Sequence, residues 1–206
     1  MSTPGSGSTR SSCSFAARSP DGGYMHDSLM ENVSDPRLEN VLGSVAVAIT
    51  GAVQTAVDEA AGHTAAGPAA LTALRIHRGC SVDHLAGVLG LTHSGTVRLV
   101  DRLEDDGLVR RGQGQDARVV TLELTAKGTK RAERVSWARA AAVERFLGNL
   151  DGSERSTLMR LLERVVATGV EDWSEVQYRC RLCNLEACHA GGESCPLDVH
   201  MAALAG

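Results

Sequence analysis

Residues 80–125 constrain this chain more than any other stretch, because two short helical stripes, a forced turn and two strands follow one another there with almost no spare residues. Ser81 stands before Val82, Leu85, Ala86 and Leu89, whose spacing marks one face of a helix. A serine hydroxyl in that position accepts from a free amide of the first turn, and Gly90 suits the left-handed residue that ends a helix. A second helix opens at Thr92 and keeps Thr96, Leu99, Val100 and Leu103 on one inward face until Gly107 stops it. Residues 108–111 and 119–124 then read as strands around the turn 112–117. The order predicts a helix-turn-helix followed by a hairpin, in a mainly α (α+β) fold.

The inward face of the second helix decides what is left outside. Thr92 lies at its start, and His93, Ser94, Val97 and Arg98 fall on the outer side. An arginine can grip guanine with a two-pronged contact, a valine can meet a thymine methyl, and serine, threonine and histidine can bond phosphate or base. Arg110, Arg111 and Arg118 put positive charge on the hairpin, where it would meet a phosphate backbone or a minor groove. Each residue taken singly also suits a solvated surface, so the order of the elements carries the reading.

The run Leu91-Thr-His-Ser-Gly-Thr-Val-Arg-Leu-Val-Asp-Arg-Leu-Glu-Asp-Asp-Gly-Leu-Val-Arg-Arg111, then Asp116-Ala-Arg118 and Leu124-Thr-Ala-Lys-Gly128, resembles the MarR family of winged-helix transcription regulators. The resemblance spans roughly residues 36–170. It implies that the second helix is a recognition helix, that the hairpin is its wing, and that helices from both ends of two chains intertwine as a dimer. It also implies that Asp116 orients Arg118 toward the minor groove. Ala117 departs from the pattern, because the family commonly carries a second arginine there. The function implied is sequence-specific regulation of transcription, read as repression by a homodimer on an inverted-repeat operator, with no enzyme activity. The partners expected are double-stranded DNA, a second copy of the chain and a possible small-molecule effector, with no membrane.

Composition sets outer bounds. With 206 residues, 43% of them hydrophobic, the chain can bury one sizeable core. No apolar run is expected to approach the roughly 20 residues of a membrane span, and no signal-peptide core is evident, so a cytoplasmic location is expected. The net charge of −4 excludes a generally basic coat for nucleic acid. Residues 98–118 hold five arginines against five acids, so any affinity for DNA must come from where the arginines are placed.

Read in order, residues 1–34 are rich in Ser, Gly and Arg without periodicity and are expected to be disordered, with Cys13 unpartnered. The region 35–170 is expected to form the winged-helix part, with 35–66 and 127–170 as dimerisation helices around a reading domain at 67–126. Asp35-Pro36 opens a stripe that runs through Leu38, Val41, Leu42, Val45, Ile49, Val53 and Val57, more than one small domain needs. Gly67-Pro68 starts a supporting helix, Cys80 reads as a small buried filler, and Ser153 is expected to cap the helix after Asp151-Gly.

The tail, 171–206, changes character. Cys180, Cys183, Cys188 and Cys195 have the spacing C-x2-C-x4-C-x6-C, and four thiolates can close a tetrahedral shell. Zinc is the simplest occupant. Cys195-Pro196 also suits the last ligand of some iron–sulfur motifs, His189 or His200 could replace a cysteine, and free or redox-paired thiols remain a third option. Some MarR-like proteins carry a similar cysteine-rich tail, which implies a site without naming its metal. A site of this kind would allow a second function, a metal- or redox-responsive regulator whose tail controls DNA binding.

Overall fold

A computed structural model describes residues 35–113 and 120–205. The extension expected to be disordered, with Cys13, and the hairpin tip with Asp116 and Arg118 lie outside the described residues. Helix α1 (Pro36–Ala61) begins where Asp35 accepts from the amides of Arg37 and Leu38, and Gly62 closes it with φ of 68°. Helix α2 (Gly67–Ile76) is buried through Leu74. Helices α3 (Val82–Leu89) and α4 (His93–Asp105) follow, capped by Ser81 and Thr92 as the sequence predicts, with Gly90 left-handed between them at φ 64°.

Strands β1 (Val109–Gln113) and β2 (Val120–Leu124) pair antiparallel, Val109 opposite Leu124 and Arg110 opposite Glu123. The sequence did not signal a third edge. Cys80, in the turn before α3, bridges to Leu122, whose amide donates to the Cys80 carbonyl at 2.9 Å. That bridge ties the hairpin to the start of the helix-turn-helix. Leu71, Leu74, Leu85, Leu99, Leu103, Leu108 and Leu122 are all almost fully buried in one core that joins these elements.

Helix α5 (Ala126–Leu147), capped by Thr125, leaves the hairpin and packs along α1 and α2. Helix α6 (Gly152–Val166) begins at Asp151, whose carboxylate accepts from the Glu154 amide while the Glu154 carboxylate accepts from the Asp151 amide. This corrects the expectation for Ser153: the acid one turn later selects Asp151 by closing a reciprocal pair. Helix α7 (Trp173–Cys180), the short α8 (Leu185–Cys188), one 3-10 turn (Ala190–Gly192) and α9 (Pro196–Ala205) complete the described chain.

α1 also corrects the expectation about apolar length. It is long and apolar enough, by length and composition, to cross a membrane, since no charged residue falls between Glu39 and Asp58. Only Val57 and Ala61 of this helix are buried, whereas Leu38, Val41, Leu42, Val45 and Val47 are exposed. Helix α6 buries no residue, and Met159, Leu161, Leu162, Val165 and Val166 stand exposed on it. Trp137 and Phe146 of α5 are exposed as well.

The join between hairpin and α5 is the tightest backbone approach. A Cβ on Gly128 would lie 1.9 Å from the Leu108 carbonyl oxygen, which already accepts from the Thr125 amide at 3.0 Å. Gly128→Ala is therefore expected to destabilise the fold by about 1 to 3 kcal/mol in urea denaturation. A Cβ on Gly87 meets nothing within 4 Å, so Gly87→Ala should stabilise by roughly 0.5 to 1 kcal/mol. Equal stabilities for the two variants would contradict the close packing at Gly128.

Candidate nucleic-acid interface

Helix α4 shows how one buried stripe exposes another. Thr96, Leu99, Val100 and Leu103 are buried, so His93, Ser94 and Arg98 face outward and Val97 is half-buried beside them. The Thr92 hydroxyl accepts from the Gly95 amide at 3.1 Å, so this side chain holds the helix start as well as standing near the outer face. His93 Nδ1 pairs with the Asp83 carboxylate at 2.6 Å, which clips the first turn of α4 to the first turn of α3. Arg98 makes no hydrogen bond or ion pair among the described residues.

The hairpin arginines divide by role. Arg110 is exposed and pairs across the strands with Glu123. Arg111 turns back to the side of α4: it pairs with Asp101 at 2.6 Å and with Glu104, and its amide donates to Glu104 at 3.1 Å. The hydrogen bond to Asp101, followed by that to Glu104, holds its guanidinium charged above the usual arginine range. Arg111 is thus a strut that sets the hairpin against α4. Sequence spacing did not show this, because the pair runs from strand to helix.

These contacts answer the balance of five arginines against five acids. Arg111 pairs with both Asp101 and Glu104, one charge against two, and the rings of His93 and His63 engage Asp83 and Asp106, the latter at 2.9 Å. Asp105, at the far end of α4, has no such partner among the described residues. Arg98 and Arg102, one turn apart on α4, are exposed and carry no ion pair among the described residues. Arg102 was missed in the sequence reading, and its i, i+4 spacing from Arg98 was the available signal. The surface thus presents two unpaired cations along a helix two of whose three acids are drawn to Arg111, which suits contact with a polyanion.

The cysteines form a second feature. Cys80 is half-buried against the main core, and burial raises its thiol pKa, in keeping with a filler. Cys180 ends α7, and the Cys183 amide donates to the Cys180 carbonyl at 2.7 Å, the tight turn that C-x2-C spacing needs. The Cys180, Cys183 and Cys188 thiols are near enough to shift one another's titration, and Cys195 is buried in the same small cluster as Cys180. Hydrogen bonding from Cys180, helped by the charge of Arg139 and by Cys188, lowers Cys183 to about 6, while the same contact raises Cys180. As placed, no three Cys, His or carboxylate groups among the described residues are set to hold a metal ion. His200 Nε2 is engaged with the Val170 carbonyl at 2.9 Å and His189 Nδ1 with the Glu193 carbonyl at 3.3 Å, so both histidines already have backbone partners.

Residues 68–119 match the model of the MarR family. The chain is similar in fold to YusO from Bacillus subtilis, at 24% identity and TM-score 0.58, over 65% of this chain and 95% of that one. RV1404 from Mycobacterium tuberculosis is 22% identical with TM-score 0.59, over 70% and 100% of the two chains. A mutant of MepR from S. aureus, solved bound to an oligodeoxyribonucleotide, is 18% identical with TM-score 0.51, over 64% and 96%. No curated protein sequence matches. At these identities the solved structures establish the shared fold.

Two variants separate reading from bracing. Arg98→Ala should leave thermal stability within about 0.5 kcal/mol of the native chain while weakening binding to a specific duplex by about 1 to 3 kcal/mol. Arg111→Ala should instead lower stability by about 1 kcal/mol, because it releases Asp101 and Glu104 together. Paired melting curves and binding titrations decide, and an Arg98→Ala chain with native affinity and base preference would contradict the assignment of the reading face.

Proposed function

We propose that this chain is a DNA-binding transcription regulator and not an enzyme, a homodimeric repressor acting on an inverted-repeat operator in the cytoplasm, a reading supported by the match of residues 68–119 to the MarR family. The observation that carries the reading is α4: its inward stripe is buried, its acids are largely paired, and Arg98 and Arg102 stand outward without compensation. Laid in the major groove, Arg98, Ser94, His93 and Val97 meet base edges or phosphates, and Arg102 meets the flanking backbone. Arg110 and the tip residues Asp116 and Arg118 serve the adjacent minor groove. The oligodeoxyribonucleotide bound to the MepR mutant supports this use of the fold.

The occupant of the exposed apolar faces of α1 and α6 is a second copy. Leu38, Val41, Leu42 and Val45 on one helix and Leu161, Leu162, Val165 and Val166 on the other present far more apolar surface than a monomer leaves in water. A two-fold dimer covers both at once and presents two α4 helices to symmetric half-sites. Such a dimer across a promoter denies the site to polymerase, which is the basis for repression. A small-molecule effector fits the cavity of about 260 Å³ lined by Gln54, Val57, Pro68, Leu89, Tyr178 and Arg181, where α1, α2 and α7 meet.

Light scattering is expected to give a dimer at micromolar concentration. Leu42→Glu combined with Val45→Glu should yield monomers that lose operator binding at least tenfold, with the melting of the reading domain retained. Arg102→Ala should weaken binding to all sequences alike and lower the salt slope by about one. A native chain that is monomeric and still protects a single half-site would overturn the dimer.

A further inference from the structure

We propose that Cys180, Cys183, Cys188 and Cys195 bind one zinc ion as four thiolates and thereby fasten the C-terminal helices onto the reading head. The fold brings the four together from the end of α7, the turn after it, the end of α8 and the residue before α9. The Cys183 amide donates to the Cys180 carbonyl at 2.7 Å, and Cys195 lies in the same small cluster as Cys180. As placed, no three of these groups are set around a common centre, so metal entry requires the cysteine side chains to turn toward one another. Metal entry forms four Zn–S bonds of about 2.3 Å, and each thiol still protonated releases its proton to solvent. The resulting centre carries a net charge of 2−, and Arg139 of α5 contributes a positive charge that reaches both Cys183 and Cys188.

Four thiols, two of them on the C-x2-C turn in which the Cys183 amide donates to the Cys180 carbonyl at 2.7 Å, suit the closed tetrahedral shell of a single zinc ion, and iron with sulfide is the outcome that the test below separates from it. The segment also needs a cross-link. Between α7 and α9 it contains only a four-residue helix and one 3-10 turn, and helices that short do not hold themselves. Its apolar support is Val170, Val176, Leu197 and Met201, with Cys180 and Cys195 themselves completing the cluster. Metal binding then supplies folding free energy where burial is sparse.

The site sits where it can brace the reader. Tyr178 packs against Gly90 in the turn between α3 and α4, where a Cβ would meet the ring at 3.1 Å. Arg75 of α2 reaches Asn184 and Glu186, each at 3.4 Å, between the second and third cysteines. A closed metal centre fixes both contacts at once.

The test uses the full chain purified without oxygen. Elemental analysis is expected to give one zinc per chain and colourless protein. Replacement by cobalt should produce the intense sulfur-to-cobalt absorption and the visible bands of a tetrahedral tetrathiolate. Chelation should expose four additional titratable thiols and lower the melting temperature. Cys80→Ser should keep full metal content and Cys183→Ser should lose it, and the cobalt spectrum of the native chain keeps the test decisive if the latter fails to fold. Brown protein with iron and sulfide, freely titratable thiols without metal, or full zinc content in Cys183→Ser would each overturn the proposal. None of these readouts depends on DNA, so they stand or fall apart from the operator measurements.

Discussion

Burial of Thr96, Leu99, Val100 and Leu103 fixes which way α4 faces, and what the molecule can do follows from that facing. Each of the two leucines, once withdrawn from water against α3 and the hairpin, contributes about 1.5 to 3 kcal/mol. Rotating α4 would expose them, so the outer face is held by a core several side chains deep. A helix set this way offers its first turns to a partner without any rearrangement of its own. The Cys80 to Leu122 bridge and the close approach at Gly128 hold the hairpin and α5 to the same core as α4.

Electrostatics then refine what packing allows. A chain of net charge −4 is not an evident partner for a polyanion. The difficulty is eased locally, because Arg111 draws Asp101 and Glu104 to itself and the His93 ring engages Asp83, while Arg98 and Arg102 carry no ion pair among the described residues. One arginine braces the hairpin against α4, and two others stand unpaired among the described residues on its outer face. At the tail, the charge of Arg139 acts on Cys183 and Cys188 beside a small apolar cluster.

Much of this was legible in the sequence because it is local. Ser81, Gly90, Thr92 and Gly107 act through neighbours within a turn, and the stripe from Thr96 to Leu103 repeats at helical spacing, so α3, α4 and the hairpin stand where the residues placed them. What was missed is mostly non-local. The pairing of Arg111 with α4 and the bridge from Cys80 to Leu122 join segments whose proximity only the fold creates. The cap of α6 was the exception: Asp151 and Ser153 both accept hydrogen bonds, and the spacing from Asp151 to Glu154 was the local signal that distinguishes them. The apolar length of α1 was underestimated because Ala, Gly, Ser and Thr dilute its stripe without introducing charge.

The central claim is that α4 enters the major groove, twice per dimer. Methylation interference tests it most directly, on an operator selected from a random duplex pool. Methyl groups on guanine N7 stand in the major groove and those on adenine N3 in the minor groove. The account predicts strong interference by guanine N7 methylation in two symmetric clusters about one helical turn, roughly 10 to 10.5 base pairs, apart. Interference by adenine N3 methylation alone, or a single unpaired cluster, would contradict it.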